Sequence, residues 1–255
     1  MFLSDLPKPA IIAHRGASAY APENTLAAFK LALQQGADAI ELDAKLSADG
    51  QVVVIHDQTV DRTTPAIGRV RDHIMADLHK MDAGSHFDIA FKGEPIPSLE
   101  EVIKAVGQLT YINIELTNYA SPFDDLPGKV AALVKQHRLT QRVLFSSFNI
   151  VSLMRIHRIM PEAPLGLLLA HGRWGFINRS VLGKLVNYQS LHPSLNDANP
   201  HLVRAAHDKG RKVLVYTVNK EYEIQRLFQD GVDGIFTDDP LLAREVLEKG
   251  YRTTH

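Results

Sequence analysis

Cysteine is missing from all 255 positions. Its absence excludes disulfides and thiolate metal sites, and it is in keeping with a reducing compartment. Net charge is almost missing too: 28 Lys and Arg stand against 29 Asp and Glu, a formal charge of −1. So even a balance lacks the basic field that nucleic acid or a polybasic membrane contact needs. No apolar run approaches the roughly 20 residues that cross a bilayer. The opening Met1-Phe2-Leu3-Ser4-Asp5-Leu6-Pro7 has no basic segment and is interrupted by Asp5 and Pro7, so a secretory signal is not expected. These absences lead to the expectation of a soluble cytoplasmic protein with no nucleic-acid partner and no membrane span. A homodimer is left open.

What is present alternates. Strands are expected over Ala10–Ala13, Ala39–Leu46, Val52–Ile55, Tyr111–Leu116, Val143–Ser146, Pro164–Leu169, Tyr188–His192, Val213–Val218 and Gly234–Thr237. Helices are expected between them, over Thr25–Gln35, Ser98–Val106, Leu126–His137, Ile150–Ile159, Val181–Leu185, Pro200–Lys209, Lys220–Asp230 and Pro240–Lys249. Several stop at a glycine, as at Gly36, Gly210, Gly231 and Gly250. Alternation of this kind is the mark of a parallel α/β sheet. The length suits one domain over residues 1–255, a (β/α)8 TIM barrel. One strand candidate is then surplus. The Asp49-Gly50 turn makes the run from Val52 a hairpin partner of the preceding strand. Residues 52–97 are too many for a plain loop, and they read as a small insertion after the second strand, a cap beside the barrel mouth.

In such a barrel the chemistry sits at the C-terminal ends of the strands. Those ends carry His14-Arg15, Glu41 and Asp43, Glu115, Ser146-Ser147-Phe148, His192, Tyr216-Thr217 with Asn219, and Thr237-Asp238, while His56-Asp57 closes the hairpin strand. Strand alternation puts Glu41, Asp43 and Lys45 on one face. Two neighbouring carboxylates repel, and burying them unpaired is costly. A divalent cation answers that cost. Glu41, Asp43 and Glu115 are the candidate ligands, and their hard oxygens suit Mg²⁺ first, with Ca²⁺, Mn²⁺ and Co²⁺ as alternatives. His14 and His56 are the candidate general base and acid, in either order, because imidazole titrates near neutrality. Asp57 is placed to orient His56 or to hold a turn. Arg15 offers a planar fork for phosphate oxygens, or an ion pair with Glu23 or a metal-binding carboxylate. His192 and Tyr216 are candidate substrate contacts, with packing as the other role for each. Metal, acid/base pair and anion clamp are together the parts needed to hydrolyse a phosphate ester.

Taken in order, these segments resemble the glycerophosphodiester phosphodiesterase family. The resemblance lies in Ala13-His14-Arg15-Gly16, Ala21-Pro22-Glu23-Asn24-Thr25, Glu41-Leu42-Asp43, His56-Asp57, Asp82-Ala83-Gly84, Ile96-Pro97-Ser98-Leu99, Asn113-Ile114-Glu115, Tyr216-Thr217-Val218-Asn219 and Gly231-Val232-Asp233-Gly234. It runs from about residue 10 to 240 and is closest to the compact cytosolic bacterial members. It implies one divalent metal on Glu41, Asp43 and Glu115, His14 and His56 as acid and base, and Arg15 on phosphate. The implied partner is a small glycerophosphodiester, a deacylated phospholipid such as glycerophosphocholine or glycerophosphoethanolamine. The implied products are sn-glycerol 3-phosphate and an alcohol. One position departs: Thr117 stands where the family commonly has a lysine, and Lys45 is the candidate to supply that charge. Two rival readings are a barrel phosphodiesterase acting on lysophospholipids or phosphoinositides, and a catalytically inactive binding barrel.

Overall fold

The structure is a computed structural model, and it describes residues 2–170 and 186–252. The helix expected over Val181–Leu185 lies outside the described residues. The strands are β1 (Ala10–Ala13), β2 (Ala39–Leu46), β3 (Val52–Val54), β4 (Tyr111–Leu116), β5 (Val143–Ser147), β6 (Leu165–Leu168), β7 (Ser190–His192), β8 (Lys212–Val215) and β9 (Gly234–Thr237). Their order is β1-β9-β8-β7-β6-β5-β4-β2-β3, and a further parallel pairing of β1 with β2 closes the ring. Eight strands are therefore parallel in a barrel. β3 is the surplus one, antiparallel to β2 with Ala44 opposite Val54 and Leu46 opposite Val52.

Alternation along each strand decides what faces where. Ile11, Ala13, Ile40, Leu42, Ala44, Ile112, Ile114, Val143, Phe145, Val213, Val215 and Ile235 point outward into the main core beneath the helices. Ile12, Ala39, Leu144, Leu214 and Phe236 point inward and form a separate inner layer. Polar inward positions, Glu41, Asp43, Asn113, Ser146, Ser190 and His192, are buried above that layer. The covering helices begin with side-chain caps. Thr25 accepts from the Ala28 amide, and Ser98 forms a reciprocal capping box with Glu101.

Two features were not foreseen. A helical turn over Phe2–Asp5 drops the Phe2 ring into the inner layer, fully buried. It closes the end of the barrel opposite the charged strand ends. The insertion is not one regular element but short turns over Val70–Asp72, Met75–Leu78 and Ile89–Phe91. They gather round a small core of their own, built from Val53, Ile55, Val60, Val70, Met75, Leu78, Ala83 and Ile96. The Val54 amide donates to the Pro97 carbonyl and joins the two ends of the segment to each other, and Glu94 accepts from the Ala27 amide on the helix after β1.

Candidate active site

At the C-terminal end of the strands a cleft of about 250 Å³ is lined by His14, Arg15, Glu41, His56, Glu115, His192 and Tyr216 among others. Seven of the eight residues singled out in the sequence thus meet in one place. The eighth, Asp43, lies just behind the cleft: one carboxylate oxygen from each of Glu41, Asp43 and Glu115 falls within 4.8 Å of the others.

The β1 loop is shaped for this. Arg15 and Asn24 both sit at positive φ, 55° and 58°, a conformation that costs a non-glycine residue roughly 1–3 kcal/mol unless its surroundings enforce it. Arg15 turns its backbone amide onto Glu41 Oε2 at 2.9 Å. Its guanidinium reaches Glu23 Oε1 at 3.0 Å and lies 3.3 Å from Asp43 Oδ2 without hydrogen-bond alignment. Asn24, which the sequence suggested as part of a helix entry, instead donates to Asp43 Oδ2 at 2.9 Å. Gly16 follows at φ +85°, where a Cβ would come within 2.6 Å of the Ala28 backbone. We expect Gly16→Ala to lose about 2 kcal/mol or more of stability, read from urea unfolding. An unchanged midpoint would contradict the close approach.

Both candidate acid/base imidazoles are held through Nδ1 by a carboxylate. His14 pairs with Asp238 Oδ1 at 2.7 Å, and His56 pairs with Asp57 Oδ1 at 2.6 Å. Fixing Nδ1 sets the ring and leaves Nε2 for chemistry. Against the cost of burial, hydrogen bonds from Arg62 and His56 hold the Asp57 carboxyl down at about 2.

The acidic cluster is electrostatically uneasy as it stands. Burial and then repulsion from Asp43 push Glu115 up to about 8, and the same causes together with Glu115 itself raise Glu41 well above the carboxylate range. Glu41 Oε1 is buried with no hydrogen-bond partner. An orphaned oxygen facing two further acids is what a divalent ion would satisfy, so the residues present fit one. Tyr119, from the loop after β4, donates its hydroxyl to Glu115 Oε1.

Lys45 is buried, and its Nζ donates to Thr117 Oγ1 at 2.6 Å and to the Thr117 carbonyl at 3.2 Å. The cation expected at 117 is therefore answered from the neighbouring strand. Burial lowers the Lys45 pKa, and Asp43 and Glu115 work against that.

His192 is fully buried, and burial alone takes it down to about 3, so its ring is neutral. Nε2 contacts Ser190 Oγ at 2.9 Å and Nδ1 has no partner. A Cβ on Gly166, across on β6, would lie 2.4 Å from the His192 Cε1. Asn113 likewise donates to Ser146 Oγ at 2.9 Å and leaves Oδ1 buried and unmatched. Tyr216 donates its hydroxyl to the Leu169 carbonyl at 2.6 Å, with its ring edge-on to Phe148. Phe148, Leu168 and Phe236 complete an apolar wall. Asn24, Asn113, Tyr119 and Asp238 were missed as site residues. Asp238 carried a signal as a polar strand end, and Asn24 and Asn113 stand within two of the resembling segments, whereas Tyr119 carried none.

A parallel barrel whose mouth joins two carboxylate-held imidazoles, a buried guanidinium and three converging acids defines a phosphoester hydrolase. The whole chain bears this out. Residues 14–242 match the model of the glycerophosphoryl diester phosphodiesterase family. A glycerophosphodiester phosphodiesterase of Caldanaerobacter subterraneus subsp. tengcongensis is 39% identical over 244 residues, covering 95% of this chain and 99% of that protein. Among solved structures, an Oleispira antarctica phosphodiesterase in complex with the product sn-glycerol-3-phosphate superposes with a TM-score of 0.86 at 32% identity, covering 94% of this chain and 97% of that one. The glycerophosphodiester phosphodiesterase of Agrobacterium tumefaciens strain C58 gives 0.80 at 34% identity, over 92% and 98%. The chain belongs to the glycerophosphoryl diester phosphodiesterase family, and it is an enzyme.

Proposed function

We propose that this enzyme hydrolyses glycerophosphodiesters to sn-glycerol 3-phosphate and an alcohol in the cleft at the C-terminal end of its barrel. Membership of the family and likeness to a structure holding that product support the reaction. The observation that carries it in this chain is the pair His14 and His56, both lining one cleft and both fixed at Nδ1. One imidazole takes the proton of the attacking oxygen, either water itself or the glycerol 2-hydroxyl whose cyclic phosphate water then opens, and the other protonates the departing alkoxide. Arg15, its charge reinforced by Asp43, Glu23 and Glu41 against the cost of burial, grips the phosphate oxygens.

Glu41, Asp43 and Glu115 hold a divalent ion in this reading, and Mg²⁺ suits three hard oxygens. When bound, the ion neutralises phosphate charge as a Lewis acid. The cleft floor supports a polyol as the buried part of the substrate. Asn113 Oδ1 is an unmatched acceptor for a hydroxyl and His192 Nδ1 an unmatched ring nitrogen that donates or accepts according to its tautomer, beside an apolar wall for the carbon skeleton. Residues 52–97 are proposed as a cap, since they bring His56 and Arg62 to the rim. A chain without cysteine is at home in the cytoplasm, the compartment we propose.

A panel of glycerophosphodiesters coupled to a glycerol-3-phosphate assay tests the proposal. We expect glycerophosphocholine or glycerophosphoethanolamine to release sn-glycerol 3-phosphate with Mg²⁺, EDTA to stop the release, and Mg²⁺ in excess to restore it. Mn²⁺, Co²⁺ and Ca²⁺ are compared in the same assay. No release from any diester with any of the four ions would defeat the proposal.

A further inference from the structure

The carboxylates behind the two imidazoles are not held alike. Asp238, behind His14, takes its other hydrogen bonds from neutral donors, Ser18 Oγ and Asn219 Nδ2. Asp57, behind His56, is bound by a cation: Arg62 Nε donates to Asp57 Oδ2 at 2.6 Å. The same guanidinium then forks onto Glu23, with Nη1 2.8 Å from Oε2 and Nη2 2.7 Å from Oε1. Glu23 Oε1 also accepts from Arg15 Nη1 at 3.0 Å. An unbroken chain, His56–Asp57–Arg62–Glu23–Arg15, therefore runs from one side of the cleft to the other. Its first three members belong to the inserted segment and its last two to the loop after β1. Arg62 itself does not line the cleft.

We propose that Arg62 is a positioning residue, which aims His56 through Asp57 and Arg15 through Glu23 and so couples the insertion to the loop after β1. The planar fork explains why arginine stands here. Three donors in one plane satisfy two carboxylates at fixed angles, which a single ammonium does not do. Charge matters as well as aim. Part of the field of Asp57 is spent on Arg62, and that part is withheld from the imidazolium form of His56. Without the guanidinium, His56 faces an uncompensated carboxylate and holds its proton more firmly. Other charges reach the same ring: His14, Arg15, Glu41 and Glu115 across the cleft, Glu23 through Arg62, and Lys45, which interacts with Asp57. They are present in every variant, so a difference between variants isolates Arg62.

The kinetic half of this inference rests on His56 being a proton-transfer group, as proposed above. The titration half does not. The measurement is an NMR titration of the His56 imidazole in full-length, Mg²⁺-loaded protein without substrate, assigned by its disappearance in His56→Gln. For Arg62→Gln we expect the His56 midpoint to rise by about 0.5–1 pH unit. The matching limb of the kcat/KM profile moves the same way, and kcat falls by roughly 10- to 100-fold with a smaller change in KM. Arg62→Lys, which keeps the charge, brings the midpoint back toward the parent value while kcat recovers only in part. If the glutamine variant does not fold, Arg62→Met takes its place, since Arg62 is half exposed and the methionine stem keeps its packing.

An unmoved His56 midpoint in the uncharged variant overturns the proposal, even if the melting temperature drops, because that is the signature of a merely structural ion pair. A lysine variant that titrates like the glutamine one overturns it too. Wild-type inactivity on every diester would count against the proposed function, whereas the midpoint is read without substrate and decides this inference alone.

Discussion

His14→Ala and His56→Ala each lower kcat by about 10³-fold, within the range that a single general acid or base contributes, while circular dichroism and the melting temperature stay close to the parent's. The physical grounds are separable. Catalytically, each ring lines the cleft and is fixed at Nδ1 by its own carboxylate. Structurally, His56 is 42% exposed and His14 20% exposed, so removing either ring opens no large cavity. The double variant is expected to lose little more than the worse single one, because the two proton transfers belong to one displacement and the groups act as a unit. Steady-state kinetics on glycerophosphocholine beside a thermal melt checks all three variants. A single-alanine variant within threefold of the parent rate would remove that histidine from the reaction. For His14, the neighbouring cleft of about 340 Å³, which shares His14 and Arg15, would then be the place to look for its work.

The second large effect is a dependence of stability on pH that appears only without metal. In the folded, metal-free protein Glu115 keeps its proton up to about 8, against 4.5 in an unstructured chain, and Glu41 is displaced in the same direction. Between those values the folded state binds more protons than the unfolded one, so stability falls as pH rises. A raised carboxylate therefore acts opposite to the usual salt-bridged acid: its contribution is complete at low pH and is lost through neutrality. We expect EDTA-treated protein to lose on the order of a few kcal/mol between pH 5 and pH 8, read by urea unfolding. Saturating Mg²⁺ flattens the curve, because the ion replaces the proton as the partner of the cluster. Glu115→Gln flattens the metal-free curve in part and weakens the response to Mg²⁺. A metal-free protein as stable at pH 8 as at pH 5 would show that these acids do not crowd one another.

Much of this site was legible because its parts lie on strands. Period-2 alternation put Glu41, Asp43 and Lys45 on one face, and closure of the barrel turned that face inward above Ile12, Leu144, Leu214 and Phe236. The hairpin was legible from Asp49-Gly50, and β3 does pair back onto β2. What escaped depends on partners distant in the chain. Asp238 is 224 residues from His14, and Arg62 is 39 from Glu23, so no local pattern announces either pairing. Asn24 was hidden behind Thr25, since a helix entry and a carboxylate anchor use the same polar residue types. Phe2 lies in a single helical turn, too short for any periodicity. β7 was expected from Tyr188 but begins at Ser190. Tyr188 instead turns its ring under the guanidinium of Arg211, 3.9 Å away, and the ladder starts after it.

The contact between Gly166 and His192 has an engineering consequence. The imidazole occupies the volume where residue 166 would otherwise carry its first side-chain carbon. Position 166 contributes nothing to the lining of the cleft, yet it governs how far the ring can retreat toward β6. Any enlargement there would drive the ring upward and make the recess shallower. Substrate size in this barrel is thus adjustable from a position that lines no part of the cleft.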